Sequence, residues 1–144
     1  MSLIGVTIDK IKVGDQAKIQ KTITEADIIL FAGVSTDQNP AHINEEYAKT
    51  TMFKKRIAHG AMTSSLVSAV LGMKLPGAGT IYMSQLSKFL APVYIGDTIT
   101  AIIEAKEIIT EKNRVVFKTY CENQDGKVVM DGEAVVMPPK APKN

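Results

Sequence analysis

A change of pattern near Thr80 constrains the fold of this chain more than any other feature. Before it, the segment HGAMTSSLVSAVLGMKLPG has no charge until Lys74, and it predicts a helix that begins near Gly60 and ends at the glycines and proline that follow. Because its interior is apolar with small hydroxyl residues, we expect this helix to be buried on nearly all sides.

After Thr80 apolar and polar residues alternate, which is typical of strands. The predicted strands are TIYMSQLSKFL, DTITAIIEAKEII, NRVVFKTYCEN and KVVMDGEAVVM, with Asp125-Gly126 as a hairpin signal between the last two. A buried helix followed by a meander of long, mostly antiparallel strands predicts an α+β fold, with the sheet wrapped around the central helix. Such a sheet has open edges, so we expect a second copy to cover one.

The front part of the chain predicts shorter elements. QAKIQKTI alternates like a first strand, and Thr24 with Asp27 resembles a capping box that opens a helix through EADIILFAGV. Asn44 can cap a second short helix, EEYAKTT. With 144 residues and no linker or repeat, residues 1–144 are expected to form one domain.

Composition excludes several classes of function. A net charge of +2 is too small and dispersed to predict nucleic-acid binding. The longest uncharged run, residues 57–73, is shorter than the roughly 20 apolar residues of a membrane span, and the N-terminus has no signal-like apolar run, so we expect a cytoplasmic protein that does not enter the membrane. Two histidines and one cysteine predict no metal site, and the single Cys121 can form no internal disulfide.

The stretch STDQNPAH places Asp37 and His42 on either side of an Asn-Pro break. Pro40 fixes its own φ and pushes Asn39 toward an extended conformation, so the segment must turn, and a turn could bring the carboxylate and imidazole together. On pattern alone, helix capping, an Asx-turn and a structural histidine explain the same residues, and this interpretation is favoured. Gly60 likewise has a plain explanation as a helix-entry glycine.

The order of these features, however, resembles a known family. From Phe31 to Gly60 and again through LPGAGTIYMSQLSKFLAPVYIGDTI, the chain is similar to the MaoC-like dehydratases, specifically the (R)-specific enoyl-CoA hydratases of hotdog fold. The matching residues of the first span are Ser35, Asp37, Asn39, Pro40, His42, Ala48, Phe53, His59 and Gly60. The chain departs at Thr36, where the family usually has glycine before the aspartate.

The resemblance implies a reaction and a site. The reaction is the reversible syn addition of water to a trans-2-enoyl-CoA, which gives an (R)-3-hydroxyacyl thioester with CoA thioester as substrate and no cofactor. Asp37 and His42 would form the catalytic dyad, and the backbone N–H of Gly60 would bind the thioester oxygen. Supporting positions would be Asn39, in bracing the loop or contacting ligand, and Ser68, in a hydrogen bond to Asp37.

Other assignments stay open at this stage. Leu71 and Val136 are candidates to line the acyl pocket, although core packing would explain both. The basic run at residues 54–56 could meet CoA phosphates, but a solvated loop is the favoured interpretation. Alternative functions are a hotdog thioesterase, an acyl-carrier-protein dehydratase and a non-catalytic acyl-CoA-binding module. The expected partners are the acyl-CoA substrate and a second copy, in a homodimer or a dimer of dimers.

Overall fold

A computed structural model describes residues 3–143. The helices are α1 (Glu25–Ser35), α2 (Pro40–Ile43), α3 (Glu45–Thr50) and α4 (Gly60–Met73). The strands are β1 (Gln16–Thr22), β2 (Ile81–Phe89), β3 (Thr98–Ile109), β4 (Arg114–Glu122) and β5 (Val128–Met137). Short 3-10 turns lie at Ile8–Lys10 and Thr110–Lys112.

One five-stranded antiparallel sheet has the order β1-β3-β4-β5-β2. Strands β3, β4 and β5 form the expected meander, and the predicted turn at Asp125-Gly126 joins the last two, with Gly126 at φ 76°. The expectation that all four later strands follow one another is wrong for β2. It pairs with β5 at the far edge of the sheet, because residues 90–97 carry the chain across to the other side.

Helix α4 packs against the sheet through one face. Its buried residues are Met62, Thr63, Val67, Val70 and Leu71. They join a core that includes the fully buried Ile103, Phe117 and Ala134 of three neighbouring strands. Burial on nearly all sides is therefore wrong for the single chain, since Ala61, Ser65, Ser68 and Gly72 are exposed on the opposite face. The sheet covers only one side of the helix, and these small residues form a flat outer stripe.

The predicted capping residues are all in use. The Thr24 hydroxyl accepts a hydrogen bond from the Asp27 N–H at 3.2 Å, and the Asp27 carboxylate accepts one from the Thr24 N–H at 2.8 Å. Asn44 accepts from the N–H of Tyr47 at the start of α3. These local bonds satisfy helix N–H groups that have no partner within the helix, which is why short polar residues precede α1 and α3.

The two edges of the sheet differ in character. β1 has the sequence QAKIQKT and exposes mainly glutamine, lysine and threonine. β2 instead exposes large apolar side chains, namely Ile81, Tyr82, Met83, Leu86 and Phe89. Among residues 3–143, β2 pairs on one side only, with β5. Its outer edge thus combines free backbone groups with apolar surface.

Cys121 lies on β4 with no exposed surface. Burial raises the pKa of its thiol to about 12, so the thiolate, which is the reactive form, is disfavoured. This agrees with a packing role for the residue. Within residues 3–143 no helix has the length and apolar character needed to cross a bilayer. The predicted cytoplasmic location stays a prediction.

Candidate active site

The dyad segment, residues 35–42, begins where α1 ends. Thr36 lies in the left-handed region with φ 64° and ψ 5°, which reverses the chain directly after the helix. The Ser35 hydroxyl holds the turn, because it donates to the Phe31 carbonyl at 2.6 Å and accepts from the Asp37 N–H at 3.1 Å. A β-branched residue such as Thr36 is strained at positive φ. Glycine adopts this conformation easily, which explains why the family usually has glycine at this position.

The turn brings Asp37 and His42 together, as the sequence predicts. The distance from Asp37 Oδ2 to His42 Nε2 is 3.9 Å, longer than a direct hydrogen bond. The Asp37 side chain is 53% exposed whereas the His42 side chain is 12% exposed. The carboxylate therefore faces the solvent, and the imidazole lies just beneath it.

A backbone contact fixes the tautomer of His42. Its Nδ1 lies 2.7 Å from the Ile57 carbonyl oxygen, which can only accept, so Nδ1 carries the proton and donates. In the neutral ring, Nε2 is then an unprotonated acceptor that faces the Asp37 carboxylate. Two acceptors 3.9 Å apart cannot bond to each other, but each can accept a hydrogen bond from the same water molecule.

His59 supports both members of the pair from below. It is buried, and its Nε2 donates to the Asp37 carbonyl oxygen at 2.8 Å. Its ring stacks on His42 with centroids 3.8 Å apart, and Phe31 lies 4.9 Å away on a tilted plane. His59 thus ties the dyad segment to the start of α4. No role of its own was predicted for His59 from the sequence, although a histidine directly before Gly60 is a signal that could have indicated one.

The three polar side chains Asp37, His42 and His59 come within 4.8 Å of one another, but their geometry does not fit a metal site. One nitrogen of each ring already donates to a backbone carbonyl. The lone pairs that remain lie in the ring planes, and those planes are stacked with an angle of 25° between them. An ion about 2 Å from both nitrogens could not lie in both planes.

Gly60 is the first residue of α4, and His59 is its N-cap. Its N–H meets no acceptor within residues 3–143, as expected for the first turn of a helix, and the helix dipole adds positive potential there. A Cβ at this position would lie 3.0 Å from the ring of Phe89, so the glycine leaves just enough room beside that ring. The arrangement offers a backbone donor next to the dyad segment.

A cavity of about 330 Å³ opens beside Gly60. Its walls are almost entirely apolar and come from the segment before α4, from the end of β2 and from the residues after β2, with Phe53, Phe89 and Pro92 among them. Such a cavity can hold an apolar or slender amphiphilic ligand whose polar end reaches the Gly60 N–H.

The structure places the remaining predicted site residues as follows. Asn39 caps α2 by accepting from the Ala41 N–H at 3.0 Å, which fits its expected bracing role. Ser68 is exposed and makes no hydrogen bond to Asp37 within the described chain, because it lies two turns along α4 whereas Asp37 is bonded to His59, the N-cap of that helix. Leu71 and Val136 are fully buried in the core and do not line the cavity beside Gly60, so their role in an acyl pocket stays a prediction.

The basic run at residues 54–56 is partly neutralised. Arg56 forms ion pairs with Glu25 at 2.6 Å and with Glu45 at 3.4 Å, and the hydrogen bond that Arg56 donates to Glu25 raises the pKa of Arg56 above its ordinary value. Lys55 lies over the ring of Tyr94, 5.4 Å from its centroid. Arg56 therefore holds the loop to α1 and α3, and it is not a free site for a phosphate.

Comparison with known proteins confirms the predicted family and fold. The family model described as "MaoC like domain" matches residues 10–126, and the chain belongs to this family. It is 55% identical to an (R)-specific enoyl-CoA hydratase of Rhodospirillum rubrum over 91% of this chain and 90% of that one. It is 43% identical to a 3-hydroxybutyryl-CoA dehydratase of Methylorubrum extorquens, over 92% of this chain and 83% of the relative.

The fold is also that of a solved relative. The unliganded R-hydratase PhaJ1 from Pseudomonas aeruginosa superimposes with a TM-score of 0.90 and 44% identity, covering 95% of this chain and 88% of that one. The hotdog architecture expected from the sequence, an antiparallel sheet around a central helix, is therefore correct.

Proposed function

We propose that the protein is an (R)-specific enoyl-CoA hydratase, which also dehydrates the (R)-3-hydroxyacyl-CoA product. The observation that carries the proposal is the position of Asp37 Oδ2, 3.9 Å from His42 Nε2, beside the free N–H at the start of α4. The similarity to the hydratase of R. rubrum and the dehydratase of M. extorquens supports it. The expected absence of a cofactor stays a prediction.

The geometry supports a single-water mechanism. The bridging water donates a proton to the dyad as its oxygen attacks C3 of the enoyl group, and the electrons of the double bond move toward the thioester oxygen. The Gly60 N–H stabilises the enolate that results. The dyad then delivers a proton to C2, so a hydroxyl and a hydrogen have been added and the dyad has returned to its starting state.

Crotonyl-CoA tests the proposal directly. Hydration removes the absorbance of the enoyl thioester, and chiral analysis should give only (R)-3-hydroxybutyryl-CoA. In heavy water, deuterium should enter C2 on the same face as the hydroxyl, because one dyad handles both parts of the water. An (S) product would contradict the assignment. Release of free CoA, detected with a thiol reagent, would favour a thioesterase, and binding without turnover would favour a non-catalytic module.

The carrier of the acyl group is a separate question. A crotonyl group on acyl-carrier protein, compared with crotonyl-CoA at equal concentration, distinguishes a CoA enzyme from a carrier-protein dehydratase. We expect kcat/KM to be higher with crotonyl-CoA, in line with the CoA relatives at 55% and 43% identity. A strong preference for the carrier protein would reverse the choice of substrate without changing the reaction.

We further propose that two copies associate through β2, as a homodimer or within a dimer of dimers. The outer edge of this strand has free backbone groups and apolar side chains such as Met83 and Leu86, and the exposed stripe of small residues on α4 lies on an uncovered face. Light scattering at micromolar concentration should report a dimer or a multiple of it. An active monomer of 15.6 kDa would contradict the proposal.

A further inference from the structure

Thr63 has a buried hydroxyl that nothing in the protein satisfies. The residue is 2% exposed, and its Oγ1 has no hydrogen-bond partner within the described chain. Threonine within a helix commonly donates to the carbonyl four residues earlier, which here belongs to His59. That carbonyl already accepts from the N–H groups of Met62 and Thr63 at 3.1 Å and 3.2 Å. A buried hydroxyl without a partner destabilises the folded protein, so its position calls for an explanation.

The residue that carries this hydroxyl lines the cavity beside Gly60. Thr63 lies three residues after Gly60, so both are on the same face of α4, and both line this cavity. The other side chains that line it are apolar, and Thr63 supplies its one polar side chain among residues 3–143. A ligand that enters between Phe53 and Phe89 would therefore meet two hydrogen-bonding groups in sequence, the Gly60 N–H and then the Thr63 hydroxyl.

We propose that this cavity receives the thiol arm of the substrate and that Thr63 hydrogen-bonds the amide nearest the sulfur. The inference rests on the proposed function, in which the thioester oxygen lies at the Gly60 N–H. In CoA and in the carrier-protein arm alike, that amide follows the sulfur by two methylene groups, a span similar to one helical turn of about 5 Å. A hydrocarbon chain in the same place would leave the Thr63 hydroxyl buried and unpaired, whereas an amide satisfies it.

Two small thioesters isolate this contact. Crotonyl-N-acetylcysteamine carries the amide, and the crotonyl thioester of pentanethiol has a similar length without it. Thr63→Val removes the hydroxyl and keeps the shape, and Thr63→Ser keeps the hydroxyl as the matched control. We expect Thr63→Val to lower kcat/KM for the cysteamine ester about three- to tenfold, the value of one hydrogen bond, and to leave the pentyl ester within about twofold. Thr63→Ser should retain the preference for the amide.

Equal losses on both esters, or no loss on either, would overturn the assignment. Turnover of crotonyl-CoA by the wild type is measured first, so that failure of the proposed function is recognised separately. Binding of the unreactive butyryl esters of the same two thiols decides the inference without turnover. Thr63→Val should weaken only the cysteamine ester, and any other pattern counts against it.

A ligand-free measurement gives an independent check. Because Thr63→Val removes an unpaired buried hydroxyl, it should raise Tm by about 2–4 °C in the absence of thioester. Saturating butyryl-N-acetylcysteamine should then stabilise the wild type more than the variant. A ligand-free Tm that falls in Thr63→Val would show that the hydroxyl is already satisfied in the protein, and the assignment would fail.

Discussion

The dyad segment carries the reactive groups of the protein, whereas the three central strands carry its buried core. In the dyad segment Asp37 is largely exposed, Thr36 is at positive φ, and most hydrogen bonds join residues only two to four positions apart. In β3, β4 and β5 the inward-facing residues, such as Ile103 and Phe117, are completely buried in an antiparallel ladder. The contrast indicates that the strands stabilise the fold. The dyad segment lowers the stability of the protein somewhat, because it holds reactive groups in exposed and strained positions.

The dyad variants test the functional side of this contrast with the largest expected effect. Asp37→Asn and His42→Gln should each reduce hydration of crotonyl-CoA about 100- to 10,000-fold, as loss of general acid-base catalysis does, with Tm close to wild type. Because the two act on one water, the double variant should lose little more than the worse single variant. Glu46→Gln, at an exposed position of α3, is the control and should keep full activity. Near-normal turnover in either dyad variant would remove that residue from the mechanism.

A substitution in the core is expected to have the opposite effect, a large loss of stability with little loss of activity. Phe117→Ala should lower the free energy of unfolding by about 3–5 kcal/mol, because it opens a cavity in a fully buried site. Molecules that remain folded should keep kcat near wild type. Urea titration measures the first quantity and initial rates the second, with Met73→Ala, at 81% exposure, as the surface control. A folded Phe117→Ala protein without activity would show that the strands position the dyad directly.

Gly60 lies where the two regions meet. Gly60→Pro deletes the N–H at a helix position that tolerates proline, and Gly60→Ala keeps it. If both fold, turnover with proline should be roughly 100- to 1,000-fold below that with alanine. Because the alanine methyl would crowd Phe89 at 3.0 Å, both are best compared in a Phe89→Leu background as well. Circular dichroism checks folding. Equal turnover would mean that another group stabilises the enolate oxygen.

The smallest effect is expected at Thr36. Glycine enters the left-handed region without the steric cost that a β-branched residue bears, although it loses more chain entropy on folding, so Thr36→Gly should stabilise the protein by about 0.5–1 kcal/mol. Thr36→Ala keeps most of the strain and should gain little. Thermal melts compare the two. If alanine stabilises as much as glycine, the backbone at Thr36 is not strained, and the segment has less stored energy than its dihedral angles suggest.

The sequence predicted the fold and the dyad for different physical reasons. Alternation after Thr80 and the capping pair Thr24 and Asp27 are local signals, and the structure follows them. The position of β2 beside β5 depends on long-range pairing, which alternation alone does not specify. One-sided burial of α4 was also missed, since an uncharged helix looks the same whether a sheet or a second copy covers its outer face.

At the site, too, local sequence patterns do not predict contacts between residues that are distant in the sequence. The turn at Pro40 predicted that Asp37 and His42 meet, and they do. His59 stacks on His42, 17 residues away, and donates a hydrogen bond to Asp37, 22 residues away. No local sequence pattern predicts these two contacts. Thr63 was missed for a related reason, because a hydroxyl in an apolar helix normally has its partner within that helix.

The unequal edges of the sheet also bear on how far assembly can proceed. If two copies join through β2, both apolar edges are consumed at one two-fold interface, and the strands left outermost are the two copies of β1. Those strands present the exposed Lys18 in each copy, whereas Lys21 is paired with Asp27 at 3.1 Å, and the Lys18 charges meeting across a new pairing would oppose further strand addition. Strand pairing is therefore limited to one partner for each chain, through β2, and it does not continue from β1, so the sheet does not extend into a fibre.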